Sequence, residues 1–149
     1  MVDKIGPWGG NGGRPCDIKV ASYRLESVTI CCGTVVDAIA FSYWDRNMKG
    51  HKSQLWGGVG GSVHKIYLGA SEFLMEVSGT FSPFRGPSDV ITSLTLVTNV
   101  HHYGPFGVPQ GTQFCIRVKK NNSIVGFFGR SGDYLDAIGV YVRPFCSSD

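Results

Sequence analysis

Charge is scarce in this sequence: charged residues make up 17% of 149 positions, with 14 Lys and Arg against 11 Asp and Glu, a formal net charge of +3. The basic residues are scattered apart from the pair Lys119-Lys120. A nucleic-acid surface needs them gathered on one face or groove, so no nucleic-acid partner is expected. Long apolar runs are absent too. Nothing approaches the ~20 residues of a membrane span, and "MVDKIGPWGG" at the start lacks the charged-then-apolar order of a signal peptide. Membrane insertion and secretion are therefore not expected.

The five cysteines, Cys16, Cys31, Cys32, Cys115 and Cys146, are odd in number and without metal-ligand spacing. Reduced thiols in the cytoplasm or nucleus are the simpler reading by the compartment rule. The sequon "NNS" at Asn121 would then be idle. His101-His102 are adjacent, and neighbours on a strand point to opposite faces, so they cannot chelate one ion together. Catalytic signatures are missing as well. "GRSGD" is not a nucleophile elbow, and no glycine run continues into the Lys-Ser/Thr of a phosphate loop. A glycosidase needs two carboxylates ~5 to 9 Å apart across a scissile bond. Asp133 and Asp136 are the one close pair in a glycine loop. No enzyme, metal or cofactor is expected.

What is abundant is glycine, 21 residues, together with nine Phe, six Tyr and three Trp in a chain rich in Val, Ile and Thr. That mix favours strands and tight turns. "RLESVTICC" (24–32) and "VVDAIAFSYW" (35–44) alternate with period two across a break at Gly33-Thr34 and read as a hairpin. "EFLMEVSGTFS", "DVITSLTLVTN", "SIVGFFG" and "AIGVYV" continue the pattern, and no window holds a helical period. The chain reads as one all-β domain, residues 1–149.

Two motifs occur twice. "GTVVDAIAF" (33–41) is echoed by "GDYLDAIGVY" (132–141), and "WGGNGGR" (8–14) by "WGGVGGS" (56–62). The recurrence, at roughly 45 to 50 residues, is the spacing of repeated sheets packed round an axis. A degraded third copy fits between them. "YGPFGVPQGTQF" (103–114) stands for the glycine loop, and "SDVITSLTL" (88–96) for the strand, with Thr92 at the Asp position. Three-fold β architecture follows, since each sheet is too small to bury its inner face alone. Trp8, Trp56, Phe127 and Phe128 read as core or loop-packing residues.

"GPWGGNGG", "WGGVGG", "YGPFG" and "GFFGRSGDYLDAIGVY", in that order over nearly the whole chain, resemble the jacalin-related lectins. The resemblance implies a β-prism of three four-stranded Greek-key sheets, with sugars bound, without metal, in loops at one end. Chemistry agrees with it. A hexose offers hydroxyls that both donate and accept, so its site needs fixed acceptors, fixed donors and closely approaching backbone. Gly132 permits a tight turn, the N–H groups of Asp133, Tyr134 and Leu135 can converge as donors, and Asp136 is an acceptor-only carboxylate. By resemblance, Asp136 accepts from the sugar O4 and O6 hydroxyls, the Tyr134 and Leu135 N–H groups donate to O5 and O6, and the Gly13 N–H donates to O3. The Tyr134 ring would lie beside the C–H face of the sugar.

A second site would use Gly33, Thr34, Val35, Val36 and Asp37 opposite Gly61, with Thr34 where the first has Asp133. It is expected to bind more weakly, and the third, at Thr92, to be empty, because a hydroxyl cannot replace a two-oxygen acceptor. Taken singly, such glycines and aspartates are ordinarily turns and solvated caps. The full constellation outweighs that reading. The alternative is a protein-interaction module on a β-prism with vestigial sugar loops. In the family, an uncleaved chain through the first glycine loop goes with mannose and glucose, and "MVDKIGPWGGNGG" is continuous. That branch is typically cytoplasmic or nuclear, in plants, and answers stress or pathogens. The resemblance also implies outer strands that pair, hence a homodimer, with Cys146 and the C-terminal strand near its interface. In some grass proteins such a domain follows an unrelated defence domain, and this chain begins almost on the first motif, as a module excised from such a chimera would.

Overall fold

The computed structural model describes residues 2–145. Thirteen strands carry the fold, with no helix among the described residues. In chain order they are β1 (Asp3–Gly9) and β2 (Arg14–Cys16); the hairpin β3 (Arg24–Cys32) and β4 (Val36–Trp44); the short β5 (Gly50–Lys52) and β6 (Trp56–Gly57); and β7 (Ser62–Tyr67). A second hairpin, β8 (Leu74–Pro83) and β9 (Asp89–Thr98), is followed by β10 (His102–Gly107) and β11 (Thr112–Arg117), and a third, β12 (Asn122–Ser131) and β13 (Leu135–Pro144), ends the chain.

Each hairpin is the centre of a Greek-key sheet, with the two strands from one glycine segment flanking it. β5 and β6 pair with β4 while β7 pairs with β3. β10 pairs with β9 while β11 pairs with β8. In the remaining sheet the flanking strands come from the other end of the chain, β1 on β13 and β2 on β12. The expected three four-stranded sheets are present with two refinements. The outer strand on β4 is broken into β5 and β6, and one bridge, Ile124 to Leu74, joins two of the sheets into a continuous eight-stranded one.

The hairpins are apolar because they line the axis where the sheets meet. Val28, Ile30, Ile39, Val77, Ile91, Leu94, Phe127 and Val140 are fully enclosed, and Phe41 packs edge-on to both Phe127 and Trp56. Each such side chain contributes about 1.5–3 kcal/mol on burial. Trp56, Phe127 and Phe128 are buried, and Trp8 stacks on Phe114, in line with the packing roles expected of them.

Register breaks recur at equivalent places in the three hairpins: between Cys31 and Cys32, between Arg130 and Ser131, and between Thr80 and Phe81. Such irregularities bend a strand and re-aim the residues after the bend. Here they stand near the end of the strand before the loop that leads to Asp37, Asp136 or Thr92, and all three loops gather at one end of the prism.

Candidate functional site

One backbone hydrogen bond recurs in each of the three loop pairs. The N–H of Gly10 donates to the Asp136 carbonyl at 2.8 Å, that of Gly58 to the Asp37 carbonyl at 3.0 Å, and that of Val108 to the Thr92 carbonyl at 3.1 Å. Thr92 thus occupies the aspartate position, as the alignment of echoes placed it. Within the hairpin loops, the Gly132 N–H donates to the Tyr134 carbonyl and the Gly33 N–H to the Val35 carbonyl, both at 3.0 Å, so the two Gly-x-x-x-Asp turns share one conformation.

Glycine is required where loop meets loop. Gly13 has φ 68° and Gly61 φ 79°, left-handed values that side chains rarely adopt. A Cβ on Gly13 would lie 2.5 Å from the Ser131 carbonyl carbon, and one on Gly61 the same distance from that of Cys32. The backbone is therefore held within reach of the carboxylate. Where Gly12 and Gly60 would carry a Cβ, the nearest atoms are Asp136 Oδ2 at 2.8 Å and Asp37 Oδ1 at 3.1 Å.

Asp136 is almost enclosed, at 8% exposure, while Asp37 is half-buried. Among the described residues no side-chain donor bonds to either carboxylate, which leaves both as acceptors for an incoming hydroxyl. Burial pushes the Asp136 carboxyl above its ordinary 3.8; the Gly132 N–H and the Arg130 charge pull it back, and Asp133 pushes it up further. Asp37 is also raised by burial, against one backbone hydrogen bond.

Arg130 is a residue that sequence reasoning missed. Its Nε and Nη2 donate to the Gly12 and Gly13 carbonyls, both at 3.0 Å, clamping the first glycine loop. Its counterpart is Cys31, by register: Arg130 pairs with Ala137, and Cys31 with Ala38. A thiol cannot span two carbonyls, so the second loop has no clamp. In the third copy the position is Thr80, opposite Ser93. There Thr92 donates to the Gln110 carbonyl at 2.7 Å, Thr80 shares bonds with Thr92 and Ser93, and the Gln110 N–H donates to Thr80. The hydroxyl expected to be a poor acceptor is already engaged in closing its own loop.

The loop between β8 and β9 is longer than the other two hairpin loops and reaches across the end of the prism. Phe84 packs edge-on against Tyr134 with ring centroids 5.2 Å apart, and Arg85 covers Phe84. Together they wall a cleft of about 230 Å³ over Gly33, Thr34, Val35, Asp37 and Gly61. Tyr134, assigned from sequence to the first site, therefore also forms a wall of the second. Val36 is fully buried behind Asp37, and Leu135 behind Asp136.

Three Greek-key sheets about a pseudo-three-fold axis, with glycine loops facing buried carboxylates at one end, define a β-prism lectin. The chain belongs to the jacalin-like lectins: the model of the Jacalin-like lectin domain matches residues 5–141. It is 43% identical over 142 residues to Horcolin of Hordeum vulgare, covering 95% of this chain and 97% of that one. The mannose/glucose-specific lectin of Parkia pendula is 39% identical over 94% of this chain, which spans 32% of that protein's length. Among solved structures, AcmJRL, a mannose-binding jacalin-related lectin from Ananas comosus, superposes with a TM-score of 0.92 at 35% identity, covering 97% of this chain and 99% of that one.

Proposed function

We propose that this lectin binds mannose- and glucose-type glycans through two loop pairs at one end of the prism, the first stronger than the second. The observation that carries this reading is the doubled pairing of a carboxylate free of side-chain donors with a glycine loop held close by left-handed backbone, at Asp136 with Gly13 and at Asp37 with Gly61. Asp136 accepts from two sugar hydroxyls, and the Tyr134, Leu135 and Gly13 N–H groups donate to the ring and neighbouring oxygens. The names of the Parkia and Ananas relatives support the choice of sugar.

The second site rests on Asp37 with the Val35 and Val36 N–H groups and lacks the arginine clamp, so its loop order must be supplied on binding. Calorimetric titration with methyl α-mannoside is expected to show two sites per chain, of millimolar order, and Asp37→Asn should remove the weaker. One site in the parent protein, unaffected by Asp37→Asn, overturns the second site.

The same reading assigns a stress or defence role in plants, a place in the cytoplasm or nucleus, which the free thiols of Cys16, Cys31, Cys32 and Cys115 support, and a homodimer that supplies avidity. Cys146, placed near that interface by sequence, lies outside the described residues. Sedimentation of reduced protein at several concentrations should show the dimer, and a monomer throughout excludes it. Fractionation of the source tissue checks the compartment, and recovery only in the secreted fraction refutes it.

A further inference from the structure

At the end of the prism away from the sugar loops, where β3 and β8 begin and β13 ends, lies a cavity of about 320 Å³. Its walls are mostly apolar, from Leu25, Leu68, Leu74 and Ile124, with Phe73 and Phe145 stacked at 4.7 Å as one side. Into this setting the fold places Arg143, only 9% exposed. Its guanidinium lies over the Tyr23 ring, with Cζ 3.9 Å from the centroid, and donates one long bond, Nη1 to the Tyr23 carbonyl at 3.3 Å. Among the described residues no carboxylate forms an ion pair with it.

A guanidinium is seldom buried without an anion, because desolvation is costly and five N–H donors need acceptors. The other charges of the cavity do not meet that need. Arg24 is committed to the carbonyls of Gly69 and Ala70, both at 2.8 Å. Glu72 is committed to the Gly69 N–H, the Thr98 and Tyr103 hydroxyls and His101. Arg143 thus stands, with one long hydrogen bond and no carboxylate partner among the described residues, on the wall of an apolar space of a size that small-molecule sites occupy.

We propose that this cavity binds a small aromatic carboxylic acid, its carboxylate on Arg143 and its ring among Leu25, Leu68, Leu74 and Phe145. Apolar walls suit a ring, and a carboxylate matches the fork of a guanidinium in a bidentate pair. The site is separate from the loops at the opposite end, so acid and mannoside should bind independently.

The test uses phenylacetate and indole-3-acetate, each against its neutral alcohol, phenylethanol and indole-3-ethanol, followed by amide chemical shifts in the full chain and in a chain ending at Phe145. Both acids should bind about tenfold or more tightly than their alcohols, shifting amides of β3, β8 and β13. Arg143→Gln should abolish that preference while methyl α-mannoside binding is unchanged. If Arg143→Gln does not fold, Leu68→Trp, which fills the cavity and leaves the charge, must abolish binding instead. Equal binding of acid and alcohol, or no binding to either chain, overturns the proposal. Binding only after removal of residues 146–149 also overturns it, and makes that segment the occupant.

Discussion

Mannoside affinity at the first loop pair is expected to fall ten- to a hundredfold on Asp136→Asn, measured in a chain that also carries Asp37→Asn so that only one site reports. A hydrogen bond to an ionised group is worth about 1.5–3 kcal/mol, and two sugar hydroxyls are assigned to this carboxylate. Stability should move the other way. Burial raises the Asp136 carboxyl, so its folded-state advantage exists only below the unfolded value near 3.8 and is lost as pH rises through the higher folded value. At neutral pH the charge is a cost, and the melting temperature of the variant should be equal or higher. The same shift sets the pH profile of binding. Hydroxyls donate to the ionised form, so affinity in the parent protein should decline with acid from a pH above that of an ordinary aspartate. Unchanged mannoside affinity in a folded Asp136→Asn chain removes this residue from the site.

The largest loss of stability is expected at Glu72, which is 7% exposed and ties three parts of the chain together. One oxygen accepts from the Gly69 N–H at 3.1 Å; the other accepts from Thr98 at 2.7 Å and Tyr103 at 2.8 Å and faces His101 at 3.2 Å. Burial alone would raise this carboxyl, but the donors outweigh it and bring it down from 4.5 to about 2. Tyr103, pushed up to about 12 by burial and then by its bond to Glu72, keeps its proton to donate. Glu72→Ala strands these donors and should cost about 3 kcal/mol. For a carboxyl with a lowered folded value, stability is present above 4.5 and lost as pH falls towards 2. Urea midpoints at pH 7, 4 and 2.5 should therefore fall less steeply in Glu72→Gln than in the parent. Equal slopes would show that Glu72 does not carry the acid response.

The geometry of the candidate loops was legible in the sequence where it is local. Gly33 to Asp37 and Gly132 to Asp136 are complete turns of the same length, so the motif and its geometry coincide. Arg130 was not legible, because a lone arginine in "GRSGD" looks like any surface cation until β2 brings the Gly12 and Gly13 carbonyls beside it. Phe84 and Arg85 were missed for another reason. Their hairpin loop departs in length from the other two, and its contact with Tyr134 crosses between sheets, which no short-range pattern records. The break between β5 and β6 was hidden too, since "HKSQLWGG" has neither a charge run nor a proline to mark it. Glu72 reads as an exposed acid, and only the folded neighbours at Thr98 and Tyr103 explain its burial.

One sheet is assembled from the two ends of the chain, and this gives the two candidate loop pairs different histories. The second pair, Asp37 with Gly61, can close once residues 33–61 exist, because both belong to one stretch of chain, while the Phe84, Arg85 and Tyr134 wall of its cleft is added later. The first waits for Gly13 to meet Ser131 and Asp136, after nearly the whole polypeptide has been made. Closing the longer loop costs about 1 kcal/mol more in chain entropy, and such late, non-local pairing is the slow part of β folding. On a ribosome the Asp37–Gly61 pair is thus able to form while the first pair has only its Gly13 side, and a chain stalled before β12 would carry one loop pair without the other.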